Sequence, residues 1–192
     1  MSLKARVKVG QITNLSEARY CAGMGVDMLG FPVGEEGTSS PNAAGVRGLP
    51  PEDYRKMIDW VAGPELVLEA HYLKTDLNYI TDNFPGHYIE IGSHQLDWLK
   101  DKSLNFVLAI KPGEWVNLYG ELMGCENVRF VELLGASKSD AVAIKAFFPL
   151  LLNDVEMALE LKTGIALTGS DEHKPGIKDY QLSDILESLE TD

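Results

Sequence analysis

Cysteine is scarce in this chain: Cys21 and Cys125 are the only two in 192 residues. A single unspaced pair argues against a disulfide scaffold and points to reduced thiols in a cytoplasmic protein. Long apolar runs are missing too, none approaching the ~20 residues that a membrane span needs, and Met1 is not followed by a signal-peptide pattern. Positive charge is in short supply. Seventeen Lys and Arg against 29 Asp and Glu give a net charge of −12, which repels nucleic acid and anionic membrane surfaces. The expected partner is therefore a small-molecule substrate or ligand, and one local positive site can still hold a single phosphate. What is present is ordinary for a folded domain: 45% hydrophobic and 24% charged residues, in a chain long enough to bury a full core as one domain over residues 1–192.

Apolar runs alternate with helical patterns along the whole chain, the mark of βα units on a parallel sheet. The pattern predicts eight strands: Arg6–Gly10, Asp27–Pro32, Glu65–Tyr72, His87–Ile91, Asn105–Lys111, Val128–Leu134, Phe147–Leu152 and Gly164–Thr168. Helices are predicted over Glu17–Cys21 after Ser16, Glu52–Val61 after Pro51, Asp76–Asp82 after Thr75, His94–Lys100, Val116–Met123, Lys138–Ala146, Asp154–Leu161 and Gln181–Leu189, with Gly23, Gly25 and Gly63 as stop signals. Eight such units make a minimal (βα)8 TIM barrel, since that fold usually takes about 250 residues. Phe147–Leu152 also reads as an extension of the preceding helix and Val155–Leu161 as a strand. That second parse gives a flavodoxin-like open sheet of five or six strands.

The opening segment, Val7-Lys8-Val9-Gly10-Gln11-Ile12-Thr13-Asn14, resembles the first strand of the phosphoribosylanthranilate isomerases of tryptophan biosynthesis, where it reads apolar-Lys-apolar-Cys-Gly-apolar-Thr-Asn. The likeness continues in Glu17-Ala18, Ala22-Gly23 and Asp27-Met28-Leu29-Gly30-Phe31, in Arg47 before Leu49-Pro50-Pro51-Glu52-Asp53, in Ile110-Lys111, and in Thr168-Gly169 followed by Pro175-Gly176-Ile177-Lys178-Asp179. The resemblance implies a minimal (βα)8 barrel, an aldose–ketose (Amadori) isomerisation of N-(5'-phosphoribosyl)anthranilate without a cofactor, and Arg47 as the holder of the anthranilate carboxylate.

Departures from the family pattern fall where the chemistry would be. The family's catalytic base is the Cys at the end of strand one, and Gly10 stands there. Glu132 stands near the family's acidic Asp, one methylene longer, and is the candidate acid. Lys8 is a candidate electrostatic support. Cys21 and Cys125 sit away from the catalytic ends of the strands. Gln11 is not a base, and strand alternation directs it away from residue 10. Barrels of this kind hold phosphate on backbone N–H groups after strands seven and eight. After strand seven the chain reads Leu151-Leu152-Asn153-Asp154 in place of the family's Gly-Gly, and Asp154 is placed to cap the next helix. Thr168 and Gly169 remain as half a site, or as a plain tight turn.

Charge has been added at the same end. Glu69 with His71, Glu90, Lys111 and Glu132 lie near the C-terminal ends of strands three to six, where inward side chains of a barrel line the active site. Converging, Glu69, His71, Glu90 and Glu132 make an oxygen-rich set suited to Mg²⁺ or Mn²⁺ with a lysine moving the proton; a one-residue register shift would instead turn them to solvent or into simple ion pairs. The glycine-rich Val33–Pro50 segment predicts a long loop, either a lid bringing Arg47 to a ligand or a solvated insertion. His87 and His94 read as surface residues, His173 as part of a polar loop, and Trp60, Trp98 and Trp115 as packing between helices and barrel. Three functions fit: the isomerase acting through a rearranged base, a diverged barrel enzyme with metal-assisted proton transfer on a small polar or phosphorylated substrate, and a non-catalytic ligand-binding barrel.

Overall fold

The computed structural model describes residues 3–34, 48–71, 76–169 and 180–191, excepting the side chains of residues 180 and 181. Arg47, Thr75, His173, the Pro175–Asp179 tail and most of the Val33–Pro50 segment lie outside the described residues.

Eight parallel strands close into one barrel: β1 (Val7–Gly10), β2 (Met28–Pro32), β3 (Glu65–Glu69), β4 (Tyr88–Gly92), β5 (Phe106–Ile110), β6 (Val128–Leu133), β7 (Leu150–Leu152) and β8 (Gly164–Thr168). Each strand pairs with the next in sequence, and β8 returns to β1 with Gly10 opposite Thr168. The order is that of a (βα)8 barrel, so the open-sheet parse does not apply. Helices α1 (Leu15–Gly23), α2 (Pro51–Ile58), α3 (Leu77–Asn83), α4 (Trp115–Leu122), α5 (Lys138–Lys145), α6 (Val155–Leu161) and α7 (Tyr180–Ser188) surround it. A 3-10 segment at Ser93–Lys100 takes the helical place after β4. None of the described helices is long and apolar enough to cross a membrane.

Helix starts follow side-chain chemistry. The Asn14, Asp76 and Asp154 side chains accept the backbone N–H of Glu17, Asn78 and Met157, and Pro51 opens α2 with no N–H of its own to satisfy. Strand three ends at Glu69, so His71 lies beyond the sheet. Strand seven starts at Leu150, three residues later than predicted, because Phe147 and Phe148 close the last turn of α5 by bonding back to Ile144. Trp115 is buried and Trp98 packs against the core as expected, but Trp60 is 69% exposed in the turn after α2 instead of packing between helix and barrel.

Two apolar layers hold the barrel. The larger lies between strands and helices; for example, Tyr54 of α2 meets the Phe31 ring edge-on at 5.3 Å. The smaller fills the barrel interior with Met28, Val67, Val107, Phe130, Leu151 and Ala166. Parallel strands are covered on both faces, which explains their near-continuous apolar sequences. Above this inner layer the interior turns from apolar to charged.

Lys162, just past α6, carries a left-handed backbone (φ 51°, ψ 53°). A side chain in that conformation costs about 1–2 kcal/mol, which glycine avoids. Lys162→Gly should therefore raise the urea midpoint, by about 0.5–1 kcal/mol after its extra unfolded-state entropy; a lowered midpoint would contradict this account of the turn.

Candidate active site

The charged layer is built by strand register. Glu69 stands opposite Glu90, and Ala109 opposite Glu132, with Lys8 pointing into the same interior from β1. The Lys8 ammonium collects all three carboxylates: Glu69 Oε1 at 3.2 Å, Glu132 Oε2 at 2.7 Å, and Glu90 Oε2 in its closest contact. His71 Nδ1 lies 2.8 Å from Glu90 Oε1. Lys8, Glu69, Glu90 and Glu132 are all nearly inaccessible to solvent. Buried charges of this kind are tolerable only when paired and hydrogen-bonded.

The four groups differ in how firmly they hold protons. Burial alone would lower the Lys8 pKa, but the carboxylates of Glu132, Glu90 and Glu69 hold it well above its ordinary value. Burial works against ionisation of Glu90, yet the Lys8 ammonium and the His71 imidazole outweigh it and bring Glu90 down to about 2. Glu132 goes the other way: burial, reinforced by the Glu90 charge, carries it up to about 7 against the pull of Lys8. Burial also raises Glu69, with Lys8 pulling down and Glu90 pushing up. The result is one fixed anion, one fixed cation and two carboxyl groups inclined to take up a proton.

Glu69 occupies the space of a missing side chain. A Cβ built on Gly10 would fall 2.3 Å from Glu69 Oε1, and one on Gly30 would fall 2.2 Å from the same atom. The two glycines of β1 and β2 thus form a notch that the carboxyl of β3 fills. Its other oxygen, Oε2, accepts the backbone N–H of Gln11 at 2.9 Å. Strand one ends at Gly10, and Gln11 turns into the left-handed region (φ 57°), so the predicted alternation does not govern it. Gln95 ties the neighbouring strand ends together, accepting the Gly92 N–H and donating to the Ala70 carbonyl. Gln95 was not singled out from sequence, and Gly30 and Gln11 stood there only within family-like segments; the Gly-Gln departure in strand one was the hint of this notch.

Other expected residues are placed elsewhere. Lys111 is exposed past the end of β5, its backbone N–H held by the Glu114 carboxylate, and it does not join the cluster around Lys8. Thr168 is exposed at the mouth end of β8. The Gly169 N–H donates to the Gly10 carbonyl at 2.7 Å, and Glu17 Oε2 lies 3.1 Å from where a Cβ on Gly169 would be. Asp154 caps α6 as expected, accepting the Met157 N–H at 2.9 Å, and Asn153 accepts the Gly135 N–H. Two backbone donors near the strand ends, the Met157 N–H after β7 and the Gly169 N–H after β8, are thus already engaged by the protein. As for a metal, one oxygen of each of Glu69, Glu90 and Glu132 is turned to the Lys8 ammonium. Among the described residues no three His, Cys, Asp or Glu side chains are grouped to hold an ion.

Fold and site together define a (βα)8 barrel with titratable groups at the catalytic ends of its strands. No family model and no curated protein matches the chain in sequence. Among solved structures, phosphoribosylanthranilate isomerase from Thermotoga maritima superposes with a TM-score of 0.70 at 16% identity over 96% of both chains. The enzyme of that name from Thermus thermophilus gives 0.68 at 17%, again over 96% of both. Phospho-2-dehydro-3-deoxyheptonate aldolase from Thermotoga maritima gives 0.63 at 16%, over 96% of this chain and 67% of that one. At such identities the likeness is one of fold, and it runs the length of the barrel.

Two measurements check the site. Gly10→Ala should cost about 1–3 kcal/mol of stability by overpacking, and clearly less in a Glu69→Ala background, where the carboxyl no longer fills the notch. Equal costs in both backgrounds would refute the contact. Because Glu132 titrates near 7 when folded and near 4.5 when unfolded, the native state binds the extra proton between those values, so its contribution to stability falls as pH rises from 4.5 to 7. Below that window Glu90 acts oppositely, its contribution being lost as pH falls from 4.5 towards 2. Urea unfolding should show a lower midpoint at pH 7.5 than at pH 5, with the difference reduced in Glu132→Gln; an unchanged difference would remove Glu132 as its source.

Proposed function

We propose that this chain is an acid–base isomerase of the phosphoribosylanthranilate isomerase kind, in which the carboxylate of Glu69 supplies the base that residue 10 no longer carries. The observation that carries the reading is the notch: Glu69 Oε1 lies 2.3 Å from where the first side-chain atom of residue 10 would be. An Amadori isomerisation needs an acid that protonates the ribose ring oxygen as the C1–O bond breaks, and a base that takes the C2 proton from the resulting iminium. The enaminol so formed then tautomerises to the ketose. Glu132, raised to about 7, is suited to the acid role, and Glu69, also raised, to the base. Between them Lys8 and Glu90 hold the local charge constant, as positioning groups. The reading calls for no cofactor. Arg47, by the family resemblance, would hold the substrate carboxylate, and Thr168 and Gly169 would lie at the substrate's far end.

A second reading rests on a different observation. With the Gly169 N–H bonded to the Gly10 carbonyl and α6 capped by its own Asp154, the same acid and base would act on a small polar substrate without a phosphate. Its metal-assisted form, with Mg²⁺ or Mn²⁺ on Glu69, His71, Glu90 and Glu132, requires these side chains to leave Lys8. A binding protein without turnover would keep the barrel and need neither proton.

The test is turnover of N-(5'-phosphoribosyl)anthranilate by the purified chain, alongside growth of a tryptophan auxotroph lacking this isomerase. The natural chain should convert the substrate. Glu69→Gln and Glu132→Gln should each lower kcat by about 100-fold or more, and the rate should decline as pH rises past about 7, where Glu132 loses its proton. A folded natural chain with neither turnover nor growth would overturn the reading in favour of the unphosphorylated substrate or the binder.

A further inference from the structure

The opposite end of the barrel holds a second cavity of about 1020 Å³, large enough for a drug-sized molecule. It opens where β1, β7 and β8 begin, away from the charged mouth. Its lining includes Lys4, Arg6, Lys145 and Lys162 together with Phe130 and Phe147, and, among the described residues, not one Asp or Glu. In a chain with 29 acidic and 17 basic residues, four cations around one cavity without a carboxylate is a marked concentration of positive charge.

Two of these cations are held by neutral groups. Lys4 donates to the Ser188 carbonyl at 2.9 Å, and Lys145 to the Leu161 carbonyl. Both partners are neutral, so they orient the ammonium groups without neutralising them. Arg6 has a loose contact with Glu65 at 3.9 Å, and its guanidinium covers the Phe130 ring at 5.1 Å. Lys162 is exposed at the end of α6. Phe147 and Leu159, respectively 49% and 41% exposed, supply an apolar rim. A flat apolar body against the aromatic wall, with an anionic group among the amines, satisfies both features.

We propose that this cavity is a binding site for a small anionic aromatic molecule, an aryl carboxylate, sulfonate or phosphate, separate from the mouth of the barrel. The proposal is independent of the reading of the active site. The natural ligand is identified only by this chemistry, and the probe is 8-anilinonaphthalene-1-sulfonate with its uncharged parent N-phenyl-1-naphthylamine as control.

The full chain at neutral pH should bind the sulfonate with a fluorescence rise that saturates at one equivalent, and bind the parent about tenfold more weakly. Lys145→Glu with Lys162→Glu should weaken the sulfonate by about tenfold or more and leave the parent unchanged. Should that pair fail to fold, Lys162→Gln and a salt titration from about 0.05 to 0.5 M replace it, each expected to weaken the sulfonate selectively. Sulfonate affinity insensitive to these charges and to salt, or several equivalents bound, would overturn the proposal. So would a dimer that excludes the probe and is dissociated by the charge reversal, since a second copy of the chain would then be the occupant.

Discussion

The interior of this barrel depends on one ammonium group. Lys8 is the cation around which Glu69, Glu90 and Glu132 are arranged. Three carboxylates from adjacent or near strands cannot share a water-poor space without it, because each would meet its neighbours' charge at low dielectric. Even with Lys8 in place, one cation does not balance three anions. The remaining excess is relieved by protons, which is why Glu69 and Glu132 are raised while Glu90, doubly held by Lys8 and His71, remains ionised. A structural need to limit buried charge thus raises two carboxyl groups, Glu132 to about 7, the property that acid–base chemistry uses.

The notch beneath Glu69 shows how a fold can move a functional group between strands. The C-terminal end of β1 carries no side chain at residue 10, and the carboxyl from β3 reaches across β2, over Gly30, into the vacated volume. A long side chain on one strand and none on two others fills the space at these strand ends with a carboxyl. At the end of β8 the Gly169 N–H is bonded to the Gly10 carbonyl, so the residue beside the notch also holds the first residue past that strand.

Much of the fold was legible because parallel barrel strands are buried on both faces and their runs of Val, Ile and Leu stand out between caps and glycines. Gly164–Thr168 emerged residue for residue, and Asp154 was recognisable as a cap. Phe147 and Phe148 misled, since aromatic residues favour strands but here close the turn after α5. Trp60 misled for a related reason: an apolar residue in a turn satisfies no periodicity, and the surface takes it. At the site, Glu69, His71, Glu90 and Glu132 were identifiable as charges at strand ends, and Lys8 as a conserved-looking feature of the family motif. Lys111 follows the same rule in sequence yet lies one residue past its strand, where the backbone has already turned outward. That Glu69 fills the place of residue 10 was not readable, since it depends on the separation of three strands far apart in sequence.

The notch also imposes an order on change. With Glu69 in place, any side chain at residue 10 or 30 collides with its carboxyl, whereas with glycine at both positions residue 69 is free to be long or short. Histories in which the two glycines come first avoid the overlap, and those in which the glutamate comes first must displace its carboxyl. The same asymmetry holds in reverse, so a chain with Glu69 in this place favours Gly10 and Gly30 until that carboxyl moves or is replaced. The three positions therefore form a heritable unit, and chains sharing this rebuilt mouth should be recognisable by the joint occurrence of glycine at the ends of strands one and two with glutamate at the end of strand three.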